Sequence, residues 1–331
     1  MKKKLLLLAG TLVLMLAITS CGMDTKMTIN SDLSSTSETT MYYSEEELMD
    51  LVEEEDVTFE EVTADLTPME IDGKMYYGST ESDKFSPADT KDSFVDLTKQ
   101  HMVIQSWAEP QGESFDEMDV EFVNYAITLP AKVVKTNLTV ADDGKTVLVT
   151  KDDFYKKQTL YAIYNKDAAA SKSITYSGVT KGKIYKVKKY LTITSKNVIK
   201  KVSVTRNGKT FKDTDYYEKD GKLYDNVYNK FAFVKDGKYT VKTTLVNGAV
   251  KSTNFTVDKT KPTTNMKAKT YKKKKAGYKI TFKDATSGVK SATLNGKKIK
   301  SGKIVKNTGS YTLVITDKAG NKKTVKFKIK K

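Results

Sequence analysis

The C-terminal stretch Lys322 to Lys331 reads KKTVKFKIKK, with Val325, Phe327 and Ile329 separated by single lysines. On a helix these three apolar side chains would split between opposite faces, whereas on a strand they share one. Tyr311, Leu313 and Ile315 repeat the alternation just upstream. Between such runs stand Asn207-Gly208, Asp220-Gly221, Asp236-Gly237, Asn247-Gly248, Asn295-Gly296 and Ala319-Gly320-Asn321. Asn-Gly and Asp-Gly supply the positive φ that type I′ hairpins need, so the spacing predicts short antiparallel strands with one dry and one wet face.

These strands fall into a repeat. RNGKTFK, Arg206 to Lys212, returns as LNGKKIK, Leu294 to Lys300, and the segment Asp236 to Asp258 aligns with Thr308 to Lys330. Two homologous units follow, 166–258 and 259–331, and many short strands with frequent turns predict β-sandwiches. The first unit carries an insert, DTDYYEKDGKLYDNVYNKFAF, whose Tyr216, Tyr217, Tyr224 and Tyr228 offer aromatic faces either to sugar rings or to their own sheet. VDKTKPT at 257–263, KITFKDATSGVKSATLNGKKI and the closing GSYTLVITDKAGNKKTVKFKI together resemble a bacterial Ig-like domain. That resemblance is strong for 259–331 and weaker for 166–258, and it implies a spacer or recognition module.

Charge divides the chain at the same place. Residues 22–165 hold 11 lysines against 31 acids, while 166–331 hold 43 basic residues against 10 acids, with Arg206 the only arginine. Reading base edges favours the planar fork of arginine, so a surface of lysine points away from nucleic acid. Anionic headgroups, wall polymers or acidic glycans suit it through screened attraction. Lysines that merely coat the wet faces and guard strand edges explain the same composition.

At the other end, three lysines lead into an apolar run from Leu5 to Ile18, then Thr19, Ser20 and Cys21. Charged n-region, short h-region and small residues have the layout of a secretory signal peptide. At 14 residues the apolar run falls short of the roughly 20 that cross a bilayer. With a cysteine in register, the segment resembles a bacterial lipobox. The resemblance implies cleavage between Ser20 and Cys21, acylation of the Cys21 sulfur, and anchorage on the outer face of the cytoplasmic membrane. Residues 1–20 are then the signal peptide. Cys21 is also the only cysteine, which excludes disulfides and thiol chemistry beyond it.

In 21–165, Ser44 and Glu47 form a capping box ahead of a short amphipathic helix bearing Leu48, Leu51 and Val52, and the remainder predicts hairpins at Asp72-Gly73 and Asp143-Gly144. The predicted fold here is α+β, followed by two all-β sandwiches. Leu129-Pro130-Ala131, Thr136-Asn137 and Asp143-Gly144-Lys145-Thr146-Val147 give this part a resemblance to LppM-like lipoprotein domains, with Ala131 where glycine is usual. That resemblance implies an extracytoplasmic domain that binds lipid or glycolipid in an apolar cavity.

No nucleophile elbow, metalloprotease helix or phosphate loop is present. His101, the one histidine, stands in a strand-like run and reads as structural, and Trp107 reads as core. Asp258, Asp284 and Asp317 raise calcium, which takes 6 to 8 oxygens from clustered carboxylates. Their separation in sequence favours turn formation instead, so no metal and no cofactor are expected. The sequence thus predicts a non-enzymatic surface lipoprotein whose Ig-like modules act as spacer or touch the anionic wall or another partner; lipid binding by the first domain is the alternative.

Overall fold

The computed structural model describes residues 22–55, 58–87, 96–105, 121–156, 159–210, 218–219, 222–223 and 230–331. Strands make up 55% of the described residues and helices 9%, so the architecture is mostly β, with several sheets. This holds in the acidic half as well, where the sequence suggests α+β, because its helices are short and sheets supply the core.

That half runs β1 (Gly22–Ile29), β2 (Ser35–Ser44), α1 (Glu45–Glu55), α2 (Phe59–Thr63), β3 (Thr67–Ile71), β4 (Lys74–Phe85), β5 (Asp96–Leu97), β6 (His101–Gln105), β7 (Phe122–Thr128), β8 (Lys135–Thr136), β9 (Thr139–Val140), β10 (Thr146–Thr150), α3 (Lys151–Tyr155) and β11 (Leu160–Ile163). Seven strands pair in the order β3-β4-β2-β1-β7-β10-β9, and four more in the order β5-β6-β11-β8. Alternation decides the faces. Met23, Met27, Val123, Ile127, Val147 and Val149 turn inward onto Met102, Ile104 and Leu160 of the smaller sheet. On the outer face Thr36, Thr28, Thr128 and Thr146 stand in one cross-strand row. Helix α1 starts as its sequence demands: the Glu47 carboxylate accepts from the Ser44 N–H at 2.8 Å, and the Glu47 N–H donates to the Ser44 hydroxyl at 3.2 Å. Leu48 is buried beneath it; the side chain of Leu51 lies outside the described ones.

α4 (Lys166–Ala170) then leads into β12 (Ile174–Ser177), β13 (Ile184–Tyr185), β14 (Lys189–Ser195), β15 (Ile199–Arg206), β16 (Lys209–Thr210), β17 (Glu218–Lys219), β18 (Lys222–Leu223), β19 (Lys230–Phe233), β20 (Gly237–Leu245) and β21 (Val250–Val257). The final stretch holds β22 (Thr263–Thr264), β23 (Thr270–Lys272), β24 (Tyr278–Ile280), β25 (Phe282–Lys283), β26 (Val289–Leu294), β27 (Lys297–Lys298), β28 (Lys303–Val305), β29 (Gly309–Asp317) and β30 (Lys322–Lys330). Each stretch builds a five-stranded sheet, β13-β21-β20-β15-β16 and β23-β30-β29-β26-β27. The two orders correspond strand for strand. Each opens with a parallel pair, β13 on β21 and β23 on β30, and each shifts register at one place, between Ile199 and Lys201 and between Val289 and Ser291.

The sequence repeat is therefore a repeat of topology, and its packing repeats too. Tyr239 stacks on its register partner Phe255 at 5.6 Å, as Tyr311 does on Phe327 at 5.2 Å. Tyr185 and Tyr271, from the parallel strands, meet those phenylalanines edge-on. Both stacked tyrosines hook back along the chain: the Tyr239 hydroxyl donates to the Lys235 carbonyl at 2.6 Å and the Tyr311 hydroxyl to the Asn307 carbonyl at 2.9 Å. Opposite each sheet lies a second layer, β12-β14-β19 in the first repeat and the pairs β22-β25 and β24-β28 in the other. Leu191, Phe231 and Phe233 fill the first core from that side, Ile280 and Val305 the second.

Turn chemistry is more varied than the dipeptides suggest. Asp72-Gly73, Asn207-Gly208 and Asn295-Gly296 do place both residues at positive φ. At Asn247-Gly248 only the glycine does, and Gly237 begins a strand instead. The acidic and basic halves also share a small apolar contact, in which Tyr161 and Ile163 of β11 meet Ala168 and Val198. Asn197, 1% exposed, fastens the same place by donating to the Ala169 and Ser171 carbonyls at 2.8 and 3.1 Å.

Truncating Phe255 or Phe327 to alanine removes a ring packed by two tyrosines and is expected to cost about 3–5 kcal/mol. Tyr311→Phe keeps the ring and loses only the hook, for about 0.5–1.5 kcal/mol. Urea unfolding of the two variants reads both values, and equal losses would show that the ring contributes no more than the hydroxyl.

Candidate functional site at the repeat junction and on the lysine faces

Where β21 ends, the chain passes between the two repeats through Asp258-Lys259-Thr260-Lys261-Pro262. Asp258 is fully buried there, and so is Asp317 at the end of β29; Asp284 is half-buried in the turn after β25. One carboxylate oxygen from each lies within 4.8 Å of the others. Sequence separation thus misled about distance, because β29 and the turn after β25 both return to the linker.

Each acid closes a piece of backbone. Asp258 accepts from the Thr260 and Ser287 N–H groups, both at 3.1 Å. Oδ1 of Asp284 accepts from the N–H groups of Thr286, Ser287 and Gly288 at 3.2, 2.9 and 2.7 Å. Asp317 takes the backbone and side-chain N–H of Asn321 at 2.8 and 2.9 Å. Asn321 also donates to the Asp258 carbonyl at 2.8 Å, and Asp236 of the first repeat accepts from the Lys259 N–H at 3.0 Å and the Thr260 hydroxyl at 2.5 Å. The linker is therefore gripped from both sides. Burial, and then the neighbouring charges of Asp284 and Asp317, hold the Asp258 carboxyl above its ordinary range, although the Ser287 bond opposes this. Three carboxylates in this arrangement could offer oxygens to a divalent cation; the bonds they already make fasten turns to the linker.

The second feature is the wet face of each five-stranded sheet. Lys201, Lys238 and Lys242 project from the first, and Lys272, Lys322, Lys326, Lys328 and Lys330 from the second; all but Lys201 and Lys272 lie on β20 or β30. Their register neighbours are Thr244, Ser203, Ser252 and Thr256 on one sheet and Thr270, Ser310, Thr312 and Thr316 on the other, where Lys272 and Lys330 also pair with each other, with no acid among them. The ion pairs among the described residues are Lys74 with Glu121 and Lys156 with Asp153, so none of these lysines is in one.

The remaining sequence candidates divide simply. His101 is buried in β6 beside Ile163 of β11, its backbone N–H donating to the Thr98 hydroxyl at 3.1 Å. That is the place of a core residue. Ser20, Cys21, Trp107, Asp220-Gly221 and the four tyrosines of the insert lie outside the described residues. Among those described, no helix is long and apolar enough to cross a membrane.

No family model matches the chain, and no curated protein sequence does. Among solved structures, it is similar to the tandem Ig repeats of Dlar at 16% identity, covering 48% of this chain and 97% of that one with a TM-score of 0.19. The Bacteroides ovatus mixed-linkage glucan utilization locus SGBP-B, in complex with a heptasaccharide, gives 14% identity, 48% and 47% coverage and a TM-score of 0.20. The insect immune protein hemolin gives 10%, 92% and 97%, with a TM-score of 0.27. At such values the architecture rests on the strand orders and packing given above.

A raised carboxyl pKa means that the folded junction prefers Asp258 protonated. Its contribution is complete below the ordinary value near 3.8 and is lost as pH rises through the raised one. Measured against Asp258→Asn, which lacks this group, the melting temperature of the chain is therefore expected to fall across that window, and an unchanged difference between the two would reassign the step. Repeating the melts with calcium tests the metal question directly, since a rise that needs all three aspartates is the signature of a cation centre.

Proposed function

We propose that the chain is a non-enzymatic surface lipoprotein, held to the outer face of the bacterial cytoplasmic membrane through acylated Cys21. In this reading residues 21–165 form an acidic, mostly β domain near the bilayer, and 166–258 and 259–331 are Ig-like modules that present a basic surface to the anionic cell wall. One observation carries it: the two five-stranded sheets share a topology, and each turns a face of lysines and short polar residues, free of acids, to solvent. The tyrosine hooks at Tyr239 and Tyr311 support the Ig-like assignment, because such domains fasten a sheet corner by a tyrosine bonded a few residues upstream. The lipobox-like residues before Cys21 support the anchor, and acylation there would suffice for it, as each buried CH₂ contributes about 0.8 kcal/mol and two or more chains hold firmly.

Contact of this kind is screened. The chain without its lipid is expected to remain on purified cell wall at about 0.01 M salt, where the Debye length is near 30 Å, and to elute by about 1 M, where it is near 3 Å. Retention that ignores salt would overturn the electrostatic contact. Separately, Cys21→Ala is expected to move the protein from the membrane fraction to the soluble one, and persistence at the membrane would overturn the anchor.

A further inference from the structure

The lysine faces have a finer grain than charge. Lys242, on β20, lies in register with Ser203 of β15 on one side and Ser252 of β21 on the other. Lys328, on β30, lies between Ser310 of β29 and Thr270 of β23. Both repeats thus place a lysine between two short hydroxyls, with neighbouring strands about 4.8 Å apart. Half-rows continue the pattern: Lys238 beside Thr256, Lys326 beside Thr312, and Lys322 beside Thr316, itself next to Ser291. Along β30 the outward lysines 326, 328 and 330 succeed one another every second residue, about 6.8 Å apart.

Edge protection does not explain this placement. β20 is the central strand of its sheet, and β23 covers β30 at Lys328 and Lys330, so Lys238, Lys242, Lys328 and Lys330 guard no edge, while Lys322 and Lys326 lie beyond the reach of β23. Nor do they neutralise acids of their own chain. Asp236, Asp258, Asp284 and Asp317 are instead occupied at the linker and in turns.

From this geometry we infer that each lysine, with the hydroxyls beside it, takes one phosphate of a linear phosphodiester polymer, so that the two faces form ladders for a polyol-phosphate chain. The inference rests on the contact reading above and names its ligand. A phosphodiester carries one negative charge and two free oxygens, which suits one ammonium and one or two hydroxyl donors. Lysine serves phosphate as a point charge, whereas planar carboxylates favour the fork of arginine. Arg206 is the only arginine available. Short neighbours also leave shallow lanes beside each long lysine stem, in which a thin polymer can approach the hydroxyls.

The test uses the full chain from residue 22, without lipid. Its probes are a polyglycerol phosphate and a polygalacturonate of matched length and charge density, with binding measured by calorimetry. The ladder variant is Lys242→Gln, Lys326→Gln and Lys328→Gln; the control is Lys261→Gln, Lys283→Gln and Lys303→Gln, equal in charge but off these faces. A third variant, Ser203→Ala, Ser252→Ala and Ser310→Ala, leaves charge unchanged. The phosphate polymer is expected to bind at least about tenfold more tightly than the carboxylate polymer, the size of one charged hydrogen bond. The ladder variant should lose at least about tenfold and the control less than about threefold, while the serine variant narrows the preference between polymers. Equal affinity for both polymers, equal losses in the two glutamine variants, or an unchanged preference in the serine variant would overturn the ladder and leave a charge-only contact standing. Absence of binding to either polymer would overturn the contact reading itself.

Discussion

The constraint on which this molecule depends is that each sheet must be held by one apolar face. No thiol follows Cys21, and the ion pairs among the described residues are two exposed or partly exposed ones in the acidic half. Exposed pairs of that kind contribute little. Burial of alternate residues is left to do the work, and it does so in the same way twice. Tyr239 on Phe255 and Tyr311 on Phe327 are cross-strand pairs at the same place in the same topology. Once those rings turn inward, the residues between them must turn outward.

The lysine surface is thus a by-product of the core. Lys326, Lys328 and Lys330 face water because Phe327 and Ile329 do not, and Lys242 does so because Val241 is buried. The same coupling fixes their neighbours. A one-residue slip of β21 against β20 would bury Ser252 and expose Phe255, so the rows of lysine and hydroxyl are as firmly specified as the hydrophobic register itself.

The junction shows the opposite relation, in which polar groups organise what apolar ones cannot. A five-residue linker has too little apolar surface to fix the approach of two modules. Asp236 and Asn321 grip it from the two sides, and Asp258 closes onto Ser287. Burial of Asp258, and then the charges of Asp284 and Asp317 beside it, raise its pKa, which sets part of the grip against the charge it would carry.

Much of this was legible in the sequence. Period-two alternation marked the strands of the basic half, the repeated NGK segments marked its duplication, and Ser44 with Glu47 marked the start of a helix. Those signals are local, and local steric and hydrogen-bonding preferences are enough to write them. The share of sheet in the acidic half, the turn types at Asn247 and Gly237, the convergence of Asp258, Asp284 and Asp317, and the seating of lysines between hydroxyls were settled only by tertiary structure. Each depends on which strand lies beside which, and pairing partners tens of residues apart leave no mark on either segment alone.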